Sequence, residues 1–173
     1  DRIVATPKPD DPLWQADPLL AVAEPFALWL VEGAMDVPGL DAHPSVRAVE
    51  ELGPYALRKV RILNGAHTAL VAKAQPLGFD TVRQAVEDPS VRAWLEQLLF
   101  EEIVPVLEAR AHDPAGFARR TLERFANPFL EHRLADIALA HETKLRTRLW
   151  PTYEEYCRRF GRAPRLLSEV LGV

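Results

Sequence analysis

The chain has 173 residues, 48% of them hydrophobic, and its 21 basic against 25 acidic side chains leave a formal net charge of −4. That length and apolar content suffice for one substantial core without disulfides or a structural metal. The acidic balance offers no bulk attraction to nucleic acid, a single cysteine, Cys157, excludes a disulfide within the chain, and no apolar run approaches the roughly 20 residues that span a bilayer. With no cationic segment leading into an apolar one at its start, the sequence shows no secretory signal, and a cytoplasmic protein is expected.

Residues 1 to 18 carry Pro7, Pro9, Pro12 and Pro18 among acidic neighbours. Proline removes a backbone donor and restrains its predecessor, so a loop or arm is expected there. Residues 25 to 32 are bulky and apolar, and periodicity alone does not separate strand from helix in so short a run. From Pro54 the pattern turns helical. Leu57, Val60, Leu63, Ala66, Leu70 and Val71 recur at three- and four-residue intervals until Pro76-Leu77-Gly78 ends the helix. Asp80 is the expected N-cap of a helix over 81 to 87, and Asp88-Pro89 opens another toward Arg110, kinked or closed near Pro105. Asp113-Pro114 starts a helix reaching Phe125. Asn127-Pro128 is expected to cap a long helix over 129 to 149, striped by Leu130, Leu134, Ile137, Ala138 and Leu145 and broken by Pro151, before two short helices at 152 to 160 and 164 to 171. The class is mainly α, with an arm over 1–53 and a helical unit over 54–173.

Chemistry concentrates in Lys59-Val60-Arg61-Ile62-Leu63-Asn64-Gly65-Ala66-His67-Thr68. An amine, an amide and an imidazole can remove a proton, hold a developing negative charge and orient a hydroxyl, and an apolar surround is the setting in which a lysine becomes a base near neutral pH. On an ideal α-helix Asn64 and His67 share a face, whereas Lys59 lies roughly 80° from His67 and about 12 Å along the axis. Such a spread suits a linear, polyhydroxylated substrate. The competing reading is a solvated lysine, a packing kink and a structural histidine. Two further basic groups, Arg58-Lys59-Arg61 and Lys144-Arg146-Arg148, could bind an anion or simply form solvated helix faces. His141-Glu142-Thr143-Lys144 begins like a zinc-protease motif but has Leu145 where the second histidine belongs, and no metal is expected. Glu101-Glu102 point about 100° apart on a helix and form no acid–base pair by themselves. His43, His112 and His132 show no spacing that suggests a shared site.

These residues resemble the polyol-specific long-chain dehydrogenase family, which includes mannitol dehydrogenase, fructuronate reductase and tagaturonate reductase. Its signature is a lysine followed by asparagine five residues later and histidine eight residues later, and Lys59, Asn64 and His67 match it without a gap. Asp1-Arg2-Ile3-Val4, Glu24-Pro25-Phe26-Ala27-Leu28-Trp29-Leu30-Val31-Glu32 and Arg124-Phe125-Ala126-Asn127-Pro128 resemble further family segments, in family order. The stretch from Pro54-Tyr55 to Thr68 is most similar to the tagaturonate reductase (altronate oxidoreductase) branch. The resemblance implies a multi-helical bundle like the C-terminal domain of 6-phosphogluconate dehydrogenase, with residues 25 to 32 as a short strand. It also implies NAD-dependent interconversion of a secondary alcohol of a sugar acid or polyol and its ketone, without a metal. In that scheme Lys59 is the general base, Asn64 polarises the reacting oxygen and His67 orients a substrate hydroxyl. Lys144 and Arg148, with Arg58 and Arg61, are the candidate substrate ligands.

Only about 58 residues precede Lys59, fewer than a Rossmann domain needs. The eight glycines, at 33, 39, 53, 65, 78, 116, 161 and 172, include no G-x-G pair. The expectation is therefore a C-terminal substrate-binding and catalytic domain that lacks its nucleotide-binding partner and is inactive alone. A non-catalytic helical interaction module derived from the same fold is the alternative. Oligomeric state is not legible.

Overall fold

The computed structural model describes residues 1–5, 7, 10–17, 19–35, 37–40 and 42–173. Pro9 and Pro18, part of the expected arm, lie outside these. The arm is more ordered than its prolines suggest. A short strand β1 (Val4–Ala5) pairs antiparallel with β2 (Val22–Ala23), and a helical turn, α1 (Pro12–Ala16), forms between them. Proline starts that turn because its missing N–H would be unpaired there anyway, and the Asp11 carboxylate accepts from the Leu13 N–H at 2.9 Å. Residues 25 to 32 contain the expected strand, β3 (Trp29–Glu32), which pairs in parallel with β4 (Val46–Val49), Trp29 opposite Val46 and Glu32 opposite Val49.

The centre of the fold is one continuous helix, α2, over 53–77. It runs as α-helix in Gly53–Arg58, widens to a π-helix in Lys59–Asn64, returns to α-helix in Gly65–Ala74 and tightens to a 3₁₀ turn in Gln75–Leu77. Gly78, at φ 85°, supplies the left-handed residue that stops it. Every residue of the stretch 65–71 is buried, so α2 is surrounded rather than laid on a surface. Around it stand α3 (Val82–Glu87), α4 over 89–107, α5 (Pro114–Phe125), α6 (Leu134–Ala138), α7 over 141–160 and α8 (Arg165–Leu171). Ile62, Ala66, Ala69 and Leu70 of α2 meet Leu95, Leu98, Leu99 and Ile103 of α4 and Leu134, Leu149 and Leu167 in one core, all fully buried.

The structure corrects three sequence-based boundaries. Thr81, not Asp80, caps α3, closing a reciprocal capping box with Gln84. The long helix expected over 129 to 149 is not one element. Asn127 Oδ1 accepts from the Phe129 N–H at 3.0 Å, and the chain then runs extended, so that Arg133 bridges to Thr81 and the Val82 N–H donates to the His132 carbonyl at 3.0 Å. After α6, Leu139 is extended and Ala140 turns to φ 55° before α7 begins. Finally, Pro151 does not break α7. The π-helical stretch Leu145–Leu149 lies immediately before Trp150-Pro151, as Leu98–Ile103 lies before Val104-Pro105 in α4. Widening the preceding turn separates the proline ring from the carbonyl it would otherwise strike, and the helix continues.

The arm is tied to the bundle by a buried ion-pair cluster. Glu24, 2% exposed, receives three hydrogen bonds from Arg124 of α5, Nη2 to Oε1 at 2.6 Å and Nε to Oε2 at 2.9 Å and to Oε1 at 3.2 Å, and a fourth from the Ile3 N–H at 2.5 Å. Arg124 also pairs with Asp1 at 3.2 Å and lies over the Phe26 ring at 4.4 Å. Three segments far apart in sequence, around residues 1–3, 24–26 and 124, therefore converge on one guanidinium. Ile3 and Ala5 are buried as a result.

Candidate active site

The π-helical stretch decides where the amine of α2 lies. In an α-helix, residues five apart diverge by about 140°. A π turn, closed between residues i and i+5, is wound more loosely and brings them much nearer to one face. Lys59 and Asn64 are the two ends of this π segment, and the return to α-helix then sets His67 one turn beyond Asn64. All three line a single cleft of about 360 Å³. The divergence expected from an ideal helix is thereby reduced, and Lys59 is half-buried.

The opposite wall comes from α6 and α7. Lys144 donates from Nζ to the Ile137 carbonyl at 2.7 Å, which holds the amine at the cleft. Burial, then Arg148, depresses its pKa below the ordinary lysine value. Arg148 donates from Nη1 to Thr68 Oγ1 at 3.2 Å and toward the Asn64 carbonyl at 3.5 Å, so its guanidinium is fixed directly against the α2 turn that carries Asn64. Thr68 Oγ1 in turn donates to the same Asn64 carbonyl at 2.9 Å.

Three lining residues escaped the sequence reading. Arg2 reaches the cleft from the arm, where its Nε donates to the Glu24 carbonyl at 2.9 Å. Asp136 contributes the carboxylate of α6, and His132 stands against His67, ring centroids 4.8 Å apart and edge to face. No local spacing links residues 2, 67, 132 and 136. Only the arm's anchor at Arg124 and the extended segment before α6 bring them together.

His67 is buried, with the Phe125 ring 4.2 Å away centroid to centroid. Burial pushes its imidazole well below the ordinary histidine value, and His132, Arg124 and Arg148 add to the effect, while a hydrogen bond to the Leu63 backbone opposes it. The ring is neutral at physiological pH. With one nitrogen donating to the Leu63 carbonyl, the unpartnered Nε2 is a hydrogen-bond acceptor.

Arg58 and Arg61, expected beside the substrate, do not line this cleft. Arg58 is buried between the Tyr55 and Phe117 rings, 4.8 and 4.7 Å from its guanidinium carbon, and donates to the His112 carbonyl at 2.7 Å. Arg61 points the other way and donates to Thr152 Oγ1 at 3.0 Å in α7. Their neighbours in sequence suggested an anion site, but successive residues on a helix face different partners. Glu102 is likewise structural, accepting the Leu166 and Leu167 N–H groups at 2.8 Å each at the start of α8. A second, more apolar cleft of about 260 Å³, with Leu28, Trp29, Leu30 and Tyr55 among its walls, adjoins Lys59 from the other side.

Comparison with known proteins agrees with this architecture. Residues 51–173 match the family described as mannitol dehydrogenase C-terminal domain. An altronate oxidoreductase of Halalkalibacterium halodurans is 43% identical over 155 residues, covering 87% of this chain and 30% of that protein. One from Yersinia enterocolitica is 40% identical over 161 residues, covering 90% and 33%. The chain thus spans about a third of the length of the curated relatives it matches. Among solved structures, mannitol 2-dehydrogenase of Pseudomonas fluorescens, in a ternary complex with NAD and D-mannitol, superposes with a TM-score of 0.81 at 22% identity, covering 99% of this chain and 36% of that one. A D-sorbitol dehydrogenase gives a TM-score of 0.75 at 25% identity, covering 93% and 34%. The helical bundle is therefore that of a known domain type, and the chain belongs to the mannitol dehydrogenase C-terminal domain family.

Proposed function

We propose that this chain supplies the substrate-binding and proton-transfer residues of a dehydrogenase that interconverts a secondary alcohol of a sugar acid and the corresponding ketone, with altronate and tagaturonate as the substrate pair. The observation that carries the proposal is the convergence of Lys59, Asn64, His67, Lys144 and Arg148 on one cleft. Even with Lys59 neutral, Arg2, Lys144 and Arg148 outnumber the single carboxylate of Asp136 there, which favours a substrate bearing a carboxylate over a neutral polyol. The altronate oxidoreductases among the relatives support the same choice.

In oxidation the neutral Lys59 amine takes the hydroxyl proton, and in reduction the ammonium returns it. The Asn64 side chain donates to the reacting oxygen while negative charge grows on it, and Arg148 keeps that turn of α2 in place through its carbonyl. His67, held neutral, accepts a hydrogen bond from a substrate hydroxyl and so fixes which carbon faces Lys59. Lys144 and Arg148 hold the carboxylate end.

The residues present do not fit a dinucleotide. No two glycines have the G-x-G spacing, and Gly116, near the start of α5, already gives its N–H to the Asp113 carboxylate at 3.0 Å. We assign NAD binding to residues outside this chain, and expect the 173 residues alone to be inactive. Calorimetric titration with NADH tests that assignment, and micromolar binding by the isolated chain refutes it. For the full-length enzyme, Lys59→Ala is expected to slow alcohol oxidation by about 10²–10⁴-fold with NADH affinity unchanged. Substantial residual turnover across neutral and alkaline pH would remove Lys59 from the role of base.

A further inference from the structure

Two imidazoles share one wall of the cleft, and each carries a buried nitrogen without a partner among the described residues: Nε2 of His67 and Nδ1 of His132. His67 is 6% exposed and commits its other nitrogen to the Leu63 backbone. His132 is not on a loose loop. Its carbonyl accepts from the Val82 N–H at 3.0 Å, the next residue bridges to Thr81, and the Leu134 N–H donates to the Asp80 carbonyl at 2.9 Å. Besides the main cleft, both rings border a chamber of about 10 Å³ shared with Ile3, Arg124 and Phe125. That is about the space of a single oxygen. Buried nitrogens of this kind are costly unless an oxygen reaches them.

We propose that His132 is a second substrate-recognition residue, which together with His67 grips one hydroxyl group of the substrate chain. The proposal rests on the dehydrogenase reading above and extends it. The hydroxyl proton is donated to His67 Nε2, and the hydroxyl oxygen accepts from the Nδ1–H of His132. One acceptor beside one donor matches a hydroxyl, which has one of each to offer. A ketone or carboxylate oxygen cannot donate to His67, and a methylene satisfies neither ring. The charges around the pair suit this division. Arg124 and Arg148 face His67 and oppose its protonation, which would turn the required acceptor into a donor. Asp136 and Lys144 face His132 with opposite signs. Water is the other source of an O–H oxygen at this point, and the test separates the two.

The test uses the full-length enzyme, sugar-acid substrates lacking one hydroxyl at a time, and three variants. His132→Phe removes the donor, His132→Asn retains a donor where Nδ1 lies, and His132→Gln moves it to the Nε2 position. We expect His132→Phe and His132→Gln to lower kcat/KM about tenfold, mainly through KM, and His132→Asn to restore it to within about threefold. One deoxygenated substrate should lose a similar factor with the parent enzyme and little further with His132→Phe. Should the phenylalanine variant not fold, the asparagine and glutamine variants carry the comparison. Unchanged KM in His132→Phe or His132→Gln, or a loss that no deoxygenated substrate shares, would overturn the proposal, the latter because the gripped oxygen would then be water. Absence of turnover by the parent enzyme on every sugar acid would instead refute the functional reading itself.

Discussion

Glu24→Ala tests whether the arm truly builds the site. The carboxylate is 2% exposed and accepts four hydrogen bonds, three from Arg124 and one from the Ile3 N–H. Removing one partner of a buried pair costs about 3–5 kcal/mol, because the other charge stays desolvated. Arg124 would keep Asp1, at 3.2 Å, so the lower end, about 3 kcal/mol, is expected. Urea unfolding followed by circular dichroism would read this loss as a lowered midpoint at constant slope. Because Ile3 loses its anchor, the segment carrying Arg2 should also leave the cleft wall, and amide exchange at residues 3–5 should accelerate by more than the global loss of stability explains. Arg124→Met in the Glu24→Ala background should then cost less than the sum of the two single changes. A loss below about 1 kcal/mol, or strict additivity, would refute the view that this ion pair organises the arm.

Other consequences are as direct. Gly65→Val places a Cβ 3.1 Å from Leu149 Cδ2, where α2 crosses the π turn of α7, and should cost about 2 kcal/mol by overpacking. A thermal midpoint within a degree of the parent would show that the crossing has slack. Glu102→Ala leaves the Leu166 and Leu167 N–H groups without their acceptor, and should lower stability by about 1–3 kcal/mol, with amide protection lost first in α8. Protection lost equally in every helix would contradict that local role. His67 has its pKa depressed, so the unfolded chain binds a proton that the fold refuses. Its contribution to stability is therefore full above about pH 6.5 and declines as pH falls below that value, with a slope approaching about 1.4 kcal/mol per pH unit until the folded-state value is reached. His132 and His141 are shifted the same way and add to the decline. His67→Asn should flatten the urea midpoint against pH between about 6.5 and 5, and an unaltered slope would count against the neutral buried imidazole.

Local signals in the sequence were enough for most helix starts. Pro54, Pro89 and Pro114 stand at first turns, Asp88 and Asp113 cap through their side chains, and Gly78 closes α2. The spacing of Lys59, Asn64 and His67 likewise marked a segment that lines the cleft. Each of these is a contest among a few neighbouring residues, settled by backbone donors and dihedral preferences within one or two turns. What required the tertiary structure was anything dependent on helix winding or on distant partners. The π turn that aligns Lys59 with Asn64 has no proline within it to announce it, and the break of the helix expected over 129 to 149 depends on an N–H of Val82 taking the His132 carbonyl. Arg58 and Arg61 look like equals of Lys59 in sequence yet are spent on His112 and Thr152. Arg2 enters the cleft because a buried glutamate–arginine pair joins residues 100 positions apart, and His132 and Asp136 because the segment before α6 is bonded to Asp80 and Val82. Sequence therefore determined which short stretches would be helical and which carried the candidate polar groups, whereas long-range burial and hydrogen bonding decided which of those groups face the same space.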